Sequence, residues 1–260
     1  MYASDHNACI EDNELSIREL DIHDLDSLIN VHQKIVEALP SPSLFRARGV
    51  ESIRSLIGDD SSCFGIFDGK ALVAYSAVRF PESGTENLGI ILGFDQYEAQ
   101  LVAEFEGVAV LPKYRGNGLQ DVLTKARAAK AILRGRLITA ARVSPENFHS
   151  LRNFLAYGMT GRKFVRLSGG YERLIVVRNH VDGENPSWMD ETEVIATDFA
   201  GLNRAFDTGL ELRAFDNARA KPVFVLAKRR RSTESRRRKV VRASGAMGVA
   251  LGPDVIKMPA

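Results

Sequence analysis

One segment, residues 104–120, constrains the fold of this chain most strongly, because it combines a strand pattern, a glycine-containing turn and a helix pattern. Its first half alternates, which predicts a strand with Glu104, Glu106, Val108 and Val110 on one face and Phe105, Gly107 and Ala109 on the other. Pro112 is expected to end that strand. Apolar residues then recur at the spacing of one helical face, at Leu119, Val122, Leu123 and Ala126. We therefore expect a strand, a glycine loop and a helix in that order.

The glycine loop has the features of a phosphate site. Gly116 and Gly118 lack a Cβ, so the backbone can adopt positive φ and a ligand can approach it closely. The first turn of the following helix has unpaired N–H groups and the positive end of the helix dipole, and Arg115 adds a full charge. The alternative is an ordinary turn. A dinucleotide fold and a nucleotide P-loop are excluded, because neither a third glycine nor a Gly-Lys-Ser/Thr sequence follows at the required spacing.

The sequence VLPKYRGNGL, residues 110–119, resembles the acetyl-CoA signature of the GNAT acyltransferase superfamily. The resemblance implies that Val108, Ala109 and Val110 pair their main chain with the pantetheine of acetyl-CoA. It also implies that the loop holds the pyrophosphate through Arg115, Gly116, Asn117, Gly118, Leu119 and Gln120. Lys113 and Gln120 depart from the residues common in that family, but a main-chain donor does not depend on its side chain.

A second segment, Asn147 to Met159, resembles the other GNAT signature, with Asn147, Phe154 and Gly158 at matching positions. The alternative is a capped amphipathic helix, in which Asn147 is the N-cap. The resemblance implies that Asn147 and Phe154 contact CoA. The family often has a tyrosine at the position of Phe154 to protonate the leaving thiolate. Here Tyr157 could replace it, solvent could, or the protein could be slow or inactive.

Composition and charge favour a soluble globular protein. Of 260 residues, 45% are apolar and 26% are charged, and 35 basic and 33 acidic residues leave a net charge of +2, so no overall field favours nucleic acid or membrane. Only two cysteines occur and the five histidines show no ligand spacing, so we expect neither a disulfide framework nor a metal site. With no signal-like start and no apolar stretch of bilayer length, a cytoplasmic protein is expected.

The order of patterns along the chain predicts an α/β (α+β) fold, with a mixed, mostly antiparallel central sheet flanked by helices, which is also the GNAT order. Helices are predicted near residues 25–36, 50–57, 119–126 and 147–157. Strands are predicted at 15–20, 63–67, 71–80, 87–94, 104–110, 137–143, 164–167 and 171–177.

Four regions are expected from composition. Residues 1–14 form a flexible N-terminus, residues 15–178 form the GNAT-like domain, and residues 179–227 form a C-terminal extension that is either an accessory lobe or extra strands of the main sheet. Residues 228–260 are a basic and disordered tail. No aromatic residues are interleaved with the charges of residues 228–242, so a solvated tail is favoured over a nucleic-acid contact.

The chemistry expected from the resemblance needs a base, because a primary amine with a pKa near ~10.4 is protonated at neutral pH. Glu104 and Glu106 share one predicted face of the strand. Glu106 is preferred because residues 106–110 look like the strand of some aminoglycoside-type GNAT enzymes, in which this glutamate faces the substrate amine. The alternative is that one or both are ordinary solvated residues.

The expected function is transfer of an acetyl group from acetyl-CoA to a primary amine of a small molecule by direct attack. Residues 39–56, the loop 81–87 and the extension after Arg178 are expected to form the walls of the acceptor site, since loops set substrate choice. The alternatives are a protein Lys or N-terminal acceptor, and a non-catalytic CoA-binding sensor. Dimers are common in this superfamily, so the resemblance also implies a possible homodimer.

Overall fold

The structure is a computed structural model that describes residues 15–41, 44–45, 47–82, 87–167, 169–182 and 186–230 and a short strand at 255–256. Its strands are β1 (Leu15–Glu19), β2 (Ser61–Asp68), β3 (Ala71–Arg79), β4 (Val102–Val110), β5 (Ile138–Val143), β6 (Thr160–Arg166), β7 (Glu172–Asn179), β8 (Trp188–Ile195), β9 (Leu210–Asp216), β10 (Val223–Arg229) and β11 (Val255–Ile256). Its helices are α1 (Leu25–Glu37), α2 (Val50–Arg54), α3 (Leu88–Ile91), α4 (Gln96–Gln100), α5 (Leu119–Leu133), α6 (Phe148–Ala156) and α7 (Phe199–Asp207). Short 3-10 turns lie at Ile22–Asp24 and Pro112–Tyr114.

All these strands belong to one mixed sheet, in the order β11-β1-β2-β3-β4-β5-β7-β6-β9-β10-β8. Strands β4 and β5 pair in parallel, and every other pair in the described sheet is antiparallel. The predicted fold class, a mostly antiparallel sheet flanked by helices, is confirmed. None of the described helices is long and apolar enough to cross a membrane.

Helices cover both faces of the sheet. On one face, α1 and α2 bury Leu28, Ile35 and Ile53 against Tyr75 and Ala77. On the other face, α5 packs against β2, β3 and β4 and buries the apolar residues Leu119, Leu123, Ala128 and Ala131. The residues that α5 buries against the sheet hold this helix in place. Its N-terminus follows shortly after the end of β4 in the chain.

A β-bulge corrects the predicted alternation of β4. Glu106 is opposite Ala77 and Val108 is opposite Ser76, so Gly107 is an extra residue between them. Residues opposite each other share a face of the sheet, and neighbouring residues alternate, so Glu106 and Val108 point to opposite faces. Glu104 and Glu106 share a face as predicted, while Val108 and Val110 do not share it. Gly107 permits close packing, because an added Cβ would lie 3.2 Å from the Phe45 ring.

The strand predicted at residues 87–94 is wrong. Asn87 accepts a hydrogen bond from the Gly89 N–H at 2.7 Å and caps α3 instead. Asp95 caps α4 in the same way, with the Glu98 N–H at 2.8 Å. Side-chain acceptors at both positions satisfy helical N–H groups, so local capping prevails over the apolar run that favoured a strand. The predicted helix 50–57 is also shorter and ends at Arg54.

The C-terminal extension continues the main sheet rather than forming a separate lobe. Strand β9 meets β6 through one residue pair, Gly161 with Leu212. Nearby, the Glu211 carboxylate accepts a hydrogen bond from the Thr160 hydroxyl at 2.7 Å and forms ion pairs with Arg162 and Arg229. The predicted flexible N-terminus, 1–14, lies outside the described residues, as do 231–254 and 257–260 of the predicted tail. Strand β10 continues two residues into that predicted tail, to Arg229.

Candidate active site

The parallel strands β4 and β5 separate before they end. Their pairing extends from Val102 opposite Ile138 to Phe105 opposite Ala141. Strand β4 continues to Val110 along β3. The Leu111 N–H donates to the Val73 carbonyl at 3.0 Å, so by alternation the main-chain groups of Val110 and Val108 point to the other edge, toward the opening. The opening therefore exposes strand main chain that can pair with an extended amide ligand.

The glycine loop presents a group of unpaired donors at the N-terminus of α5. Gly116 and Gly118 have φ values of 86° and 71°, and an added Cβ at either would meet nothing within 4 Å. Among the described residues, the main-chain N–H groups of residues 116–120 donate to no protein acceptor, and the first donor of the helix is the Asp121 N–H, to Gly118. Such N–H groups at a helix N-terminus, next to Arg115, fit a pyrophosphate.

One cleft of about 630 Å³ connects the glycine loop, the strand opening and the two glutamates. Ten of the residues assigned to acetyl-CoA by resemblance line it: Val108, Ala109, Val110, Arg115, Gly116, Gly118, Leu119, Gln120, Asn147 and Phe154. Asn117 does not line it, and its side chain donates to the Tyr114 carbonyl at 3.2 Å.

The side chains of Gln120 and Asn147 are engaged in structural hydrogen bonds. Asn147 caps α6, since its Oδ1 accepts from the Ser150 N–H at 3.0 Å. Gln120 joins α5 to α6, because its Oε1 accepts from the Asn153 side chain at 2.7 Å. Asn147 therefore acts as the N-cap that the sequence offered as an alternative. For Gln120, the donor that remains available at this end of the cleft is its main-chain N–H.

The two glutamates differ in accessibility. Glu104 is 1% exposed, and its carboxylate accepts hydrogen bonds from the Leu88 N–H at 2.7 Å and from Arg79 at 2.9 Å. The side chain of Glu106 is 16% exposed and forms an ion pair with Arg48. Glu106 can thus meet a ligand in the cleft, whereas Glu104 is almost fully buried in the cleft wall.

Tyr157, the proton donor expected from the sequence, is not among the described residues that line the cleft. Phe154, three residues before it, does line the cleft, whereas Tyr157 follows the last residue of α6. The Arg178 guanidinium lies 4.6 Å above its ring, and burial raises its pKa. Two tyrosines that the sequence did not single out, Tyr114 and Tyr171, line the cleft. The Tyr114 hydroxyl donates to Asp68 at 2.5 Å, which raises the pKa of this tyrosine.

Sequence reasoning also missed a group of arginines in the cleft, namely Arg48, Arg127, Arg142 and Arg173. Arg127 is 1% exposed, lies 4.2 Å above the Phe105 ring and donates to the Thr124 hydroxyl at 3.0 Å. Burial lowers the pKa of Arg127 to about 9, which leaves it charged at neutral pH. These residues come from separate elements, so no local sequence signal could have found them.

The walls of the cleft correspond only partly to the expected segments. The segment 39–56 contributes Leu39, Pro40, Leu44, Phe45 and Arg48. None of the described residues after Arg178 lines the cleft, so the described part of the extension does not form the expected wall. The reason is topological, since the extension joins the sheet at β6, beyond β5 and β7. Of the loop 81–87, residues 83–86 lie outside the described part. No group of three or more His, Cys, Asp or Glu residues in the described part of the chain could hold a metal.

Comparison with known proteins gives fold similarity without sequence similarity. No family model matches the chain, and no curated protein matches it. The crystal structure of N-acetyltransferase from Staphylococcus aureus Mu50 is similar with a TM-score of 0.50 and 10% identity, over 64% of this chain and 98% of that one. Arabidopsis thaliana NAA60 in complex with acetyl-CoA is similar with a TM-score of 0.50 and 14% identity, over 64% and 98%. The chain therefore has the GNAT fold that its two sequence segments predicted.

Proposed function

We propose that this protein transfers an acetyl group from acetyl-CoA to a primary amine of a small molecule. The observation that carries the proposal is the single cleft that joins a donor-rich helix N-terminus, an unpaired strand edge and the accessible carboxylate of Glu106. A phosphate-bearing acyl carrier needs the first two features, and activation of an amine needs the third. The fold likeness to N-acetyltransferases supports the same conclusion.

Different residues of the cleft would hold different parts of acetyl-CoA. We assign the pyrophosphate to the N–H groups of residues 116–120 and to Arg115, and the pantetheine amides to the main chain of Val108 and Val110. Arg115 also donates to the Val110 carbonyl at 3.2 Å, which ties the loop to the end of β4. When bound, acetyl-CoA supplies a thioester whose carbonyl carbon an amine can attack.

Glu106 is the proposed base. In the reaction the amine nitrogen forms a bond to the acetyl carbon and the carbon–sulfur bond breaks. The ammonium loses one proton before the attack and a second after it, the thiolate gains one, and one proton is released to solvent. Glu106 accepts the amine proton directly or through water, and a main-chain N–H at Val108 or Val110 donates to the carbonyl oxygen as negative charge develops there. Glu104 holds Arg79 and the start of α3 in place. Tyr171 is the proposed proton donor, because the Tyr114 hydroxyl is already bonded to Asp68.

A small-molecule acceptor is favoured by the apolar walls beside Glu106. Leu39, Leu44 and Phe45 line the side of the cleft nearest α1, and Phe45 packs against Gly107 in the bulge. These residues enclose the amine site from a loop rather than leaving a flat surface. A protein Lys or N-terminal acceptor remains the alternative, and it needs the chain of the acceptor to enter past this loop.

A second candidate is a CoA-binding sensor without turnover. Phe154 favours it, because this residue is 5% exposed and offers no hydroxyl where the resemblance expects one. The two candidate functions differ in whether thiol release from acetyl-CoA depends on an amine acceptor. The test is thiol release from acetyl-CoA with a panel of small amines, with the acetylated product identified by mass spectrometry. The transferase predicts amine-dependent release and an N-acetyl product, whereas binding of acetyl-CoA without release for any small amine or peptide would contradict it and favour the sensor.

A further inference from the structure

The charge distribution around Glu106 bears on the chemical class of the acceptor. We propose that the acceptor is an amine that also carries a carboxylate, represented by an α-amino acid with an apolar side chain. This inference rests on the proposed function, because it assigns the substrate of the same cleft.

Arginines on neighbouring strands form a row across the sheet under the cleft. Arg79 on β3 lies opposite Glu104 on β4, which lies opposite Ala140 on β5. Arg142 lies two residues after Ala140 on β5. It is opposite Ile175 on β7, and Arg173 lies two residues before Ile175. Because side chains alternate with a period of two, all four charged residues project from the same face. The guanidinium of Arg79 lies 2.9 Å from Glu104 and that of Arg142 lies 3.8 Å from it.

Glu104 and Glu106 differ in their partners at this end of the cleft. The Glu104 carboxylate is bonded to Arg79 and lies near Arg142, so two arginines of the row already compensate its charge. The more exposed Glu106 pairs with Arg48 inside the cleft, and Arg79 lies 3.7 Å from it. Glu106 is therefore the carboxylate at this end that an ammonium group can reach.

The ion pair of Arg48 and Glu106 has the polarity of a zwitterion. Arg48 is positioned independently of Glu106, since its N–H donates to His32 Nε2 at 3.0 Å and its side chain also donates to the Ser52 hydroxyl at 3.2 Å. The carboxylate of an amino acid can replace Glu106 as the partner of Arg48, and the ammonium can replace Arg48 as the partner of Glu106. Each charge of the protein then keeps a partner, and Glu106 contacts the amine whose proton it must accept. An amine without a carboxylate separates Arg48 from Glu106 and leaves Arg48 without a new carboxylate partner.

Apolar residues next to Arg48 define the rest of the acceptor. Ile35, Leu39, Leu44 and Phe45 line the cleft on this side. Burial of an apolar group against them is favourable, whereas a charged side chain would lose its hydration there. Phenylalanine and leucine therefore represent the class better than lysine or glutamate.

The test compares amines that differ only in the carboxylate. We expect kcat/KM for acetylation of phenylalanine to exceed that for phenethylamine by at least tenfold, and the same order for leucine over isoamylamine, with spermidine a poor acceptor. Arg48→Met is expected to raise KM for phenylalanine at least tenfold and to reduce the preference for phenylalanine over phenethylamine at least tenfold. Arg54→Met is the control, because Arg54 is an exposed arginine on the neighbouring helix α2 and does not line the cleft. Calorimetry of phenylalanine binding to the CoA-loaded wild-type protein gives a readout that needs no variant.

Turnover of phenethylamine or spermidine at least as good as that of phenylalanine would overturn the inference. So would an Arg48→Met variant that loses both acceptors equally while it binds acetyl-CoA normally, or a wild-type protein that acetylates peptides but neither binds nor acetylates zwitterionic amines. These results leave the transferase intact. The proposed function itself fails in a distinguishable way, by absence of acetyl-CoA binding or of thiol release with every acceptor.

Discussion

Arg48 and Glu106 form an ion pair inside the cleft, although 58 residues separate them in the chain. The pair joins the loop before α2 to the bulged part of β4, and its two side chains are 22% and 16% exposed. It thus sits where a ligand can reach both charges. In this position Glu106 can serve as a base only when the amine replaces Arg48 as its partner, which couples acceptor binding to activation.

Glu106 and Glu104 should respond differently to the same substitution. Glu106→Gln is expected to lower kcat for amine acetylation about 10²- to 10⁴-fold, because a general base is lost, while the Kd for acetyl-CoA stays unchanged. Glu104→Gln is expected to lower the free energy of unfolding by about 1–3 kcal/mol, because a buried charged hydrogen bond to Arg79 is weakened. Steady-state kinetics and urea denaturation measure the two effects. Unchanged kcat in Glu106→Gln would remove this residue as the base.

Two tyrosines test the source of the proton for the thiolate. Tyr171→Phe is expected to lower kcat about tenfold to a hundredfold with little change in the Kd for acetyl-CoA, since Tyr171 lines the cleft. Tyr157→Phe should leave kcat within about twofold, because Tyr157 packs against Arg178 outside the cleft. The measurement is thiol release at saturating acceptor. The opposite order of effects would restore Tyr157 and exclude Tyr171.

The burial of His180 predicts that the protein loses stability when the pH is lowered. Burial lowers its pKa from 6.5 to about 4, and the neighbouring positive charge of Arg178 acts in the same direction. Between these two values the unfolded chain binds a proton that the folded protein does not, so the free energy of unfolding decreases as pH falls through this window and is fully recovered above 6.5. Burial lowers the pKa of His32 too, with the same sign.

The corresponding measurement is urea denaturation at pH 7.5 and pH 5.0. His180→Gln is expected to reduce the difference between the two conditions by on the order of 1 kcal/mol. His23→Gln is the control, because His23 is exposed. An unchanged pH dependence in His180→Gln would show that the histidine is not buried in its neutral form.

The junction of the extension with the sheet predicts a packing effect. In Gly161→Ala the added Cβ would lie 2.9 Å from the Leu212 Cβ, so β6 and β9 must move apart. We expect the free energy of unfolding to fall by about 1–3 kcal/mol. Gly49→Ala should cost much less, since a Cβ there meets nothing within 4 Å and the backbone is not in the left-handed region. Equal stability of the two variants, measured by thermal and urea denaturation, would contradict the close contact of β6 with β9.

Local signals accounted for the parts of the fold that depend on local physics. The strand patterns at residues 63–67 and 71–80 predicted β2 and β3, and Gly116 with Gly118 predicted the turn before α5. The bulge at Gly107 could not be predicted, because it depends on how β4 pairs with β3 and on the Phe45 ring. The segment 87–94 was misassigned because its apolar run suits either structure and the capping by Asn87 decides between them.

The candidate site could be proposed from the sequence only where it consists of main chain. The loop amides and the strand edge belong to one contiguous segment, which a local pattern can single out. The arginines come from the loop before α2 and from β5, α5 and β7, and only the sheet brings them together. The sequence singled out Tyr157 and not Tyr171, because spacing along the chain does not reveal which tyrosines line the cleft.

The central claim is that the glycine loop binds acetyl-CoA, and calorimetry tests it most directly. Gly118→Glu and Gly135→Glu form a matched pair, since the two glycines have φ values of 71° and 72° at opposite ends of α5 and neither would place a Cβ within 4 Å of another atom. The strain is therefore similar, but only Gly118 lies in the cleft. We predict that wild type and Gly135→Glu bind acetyl-CoA and that Gly118→Glu does not. Failure of the wild-type protein to bind, or equal binding by both variants, would contradict the account.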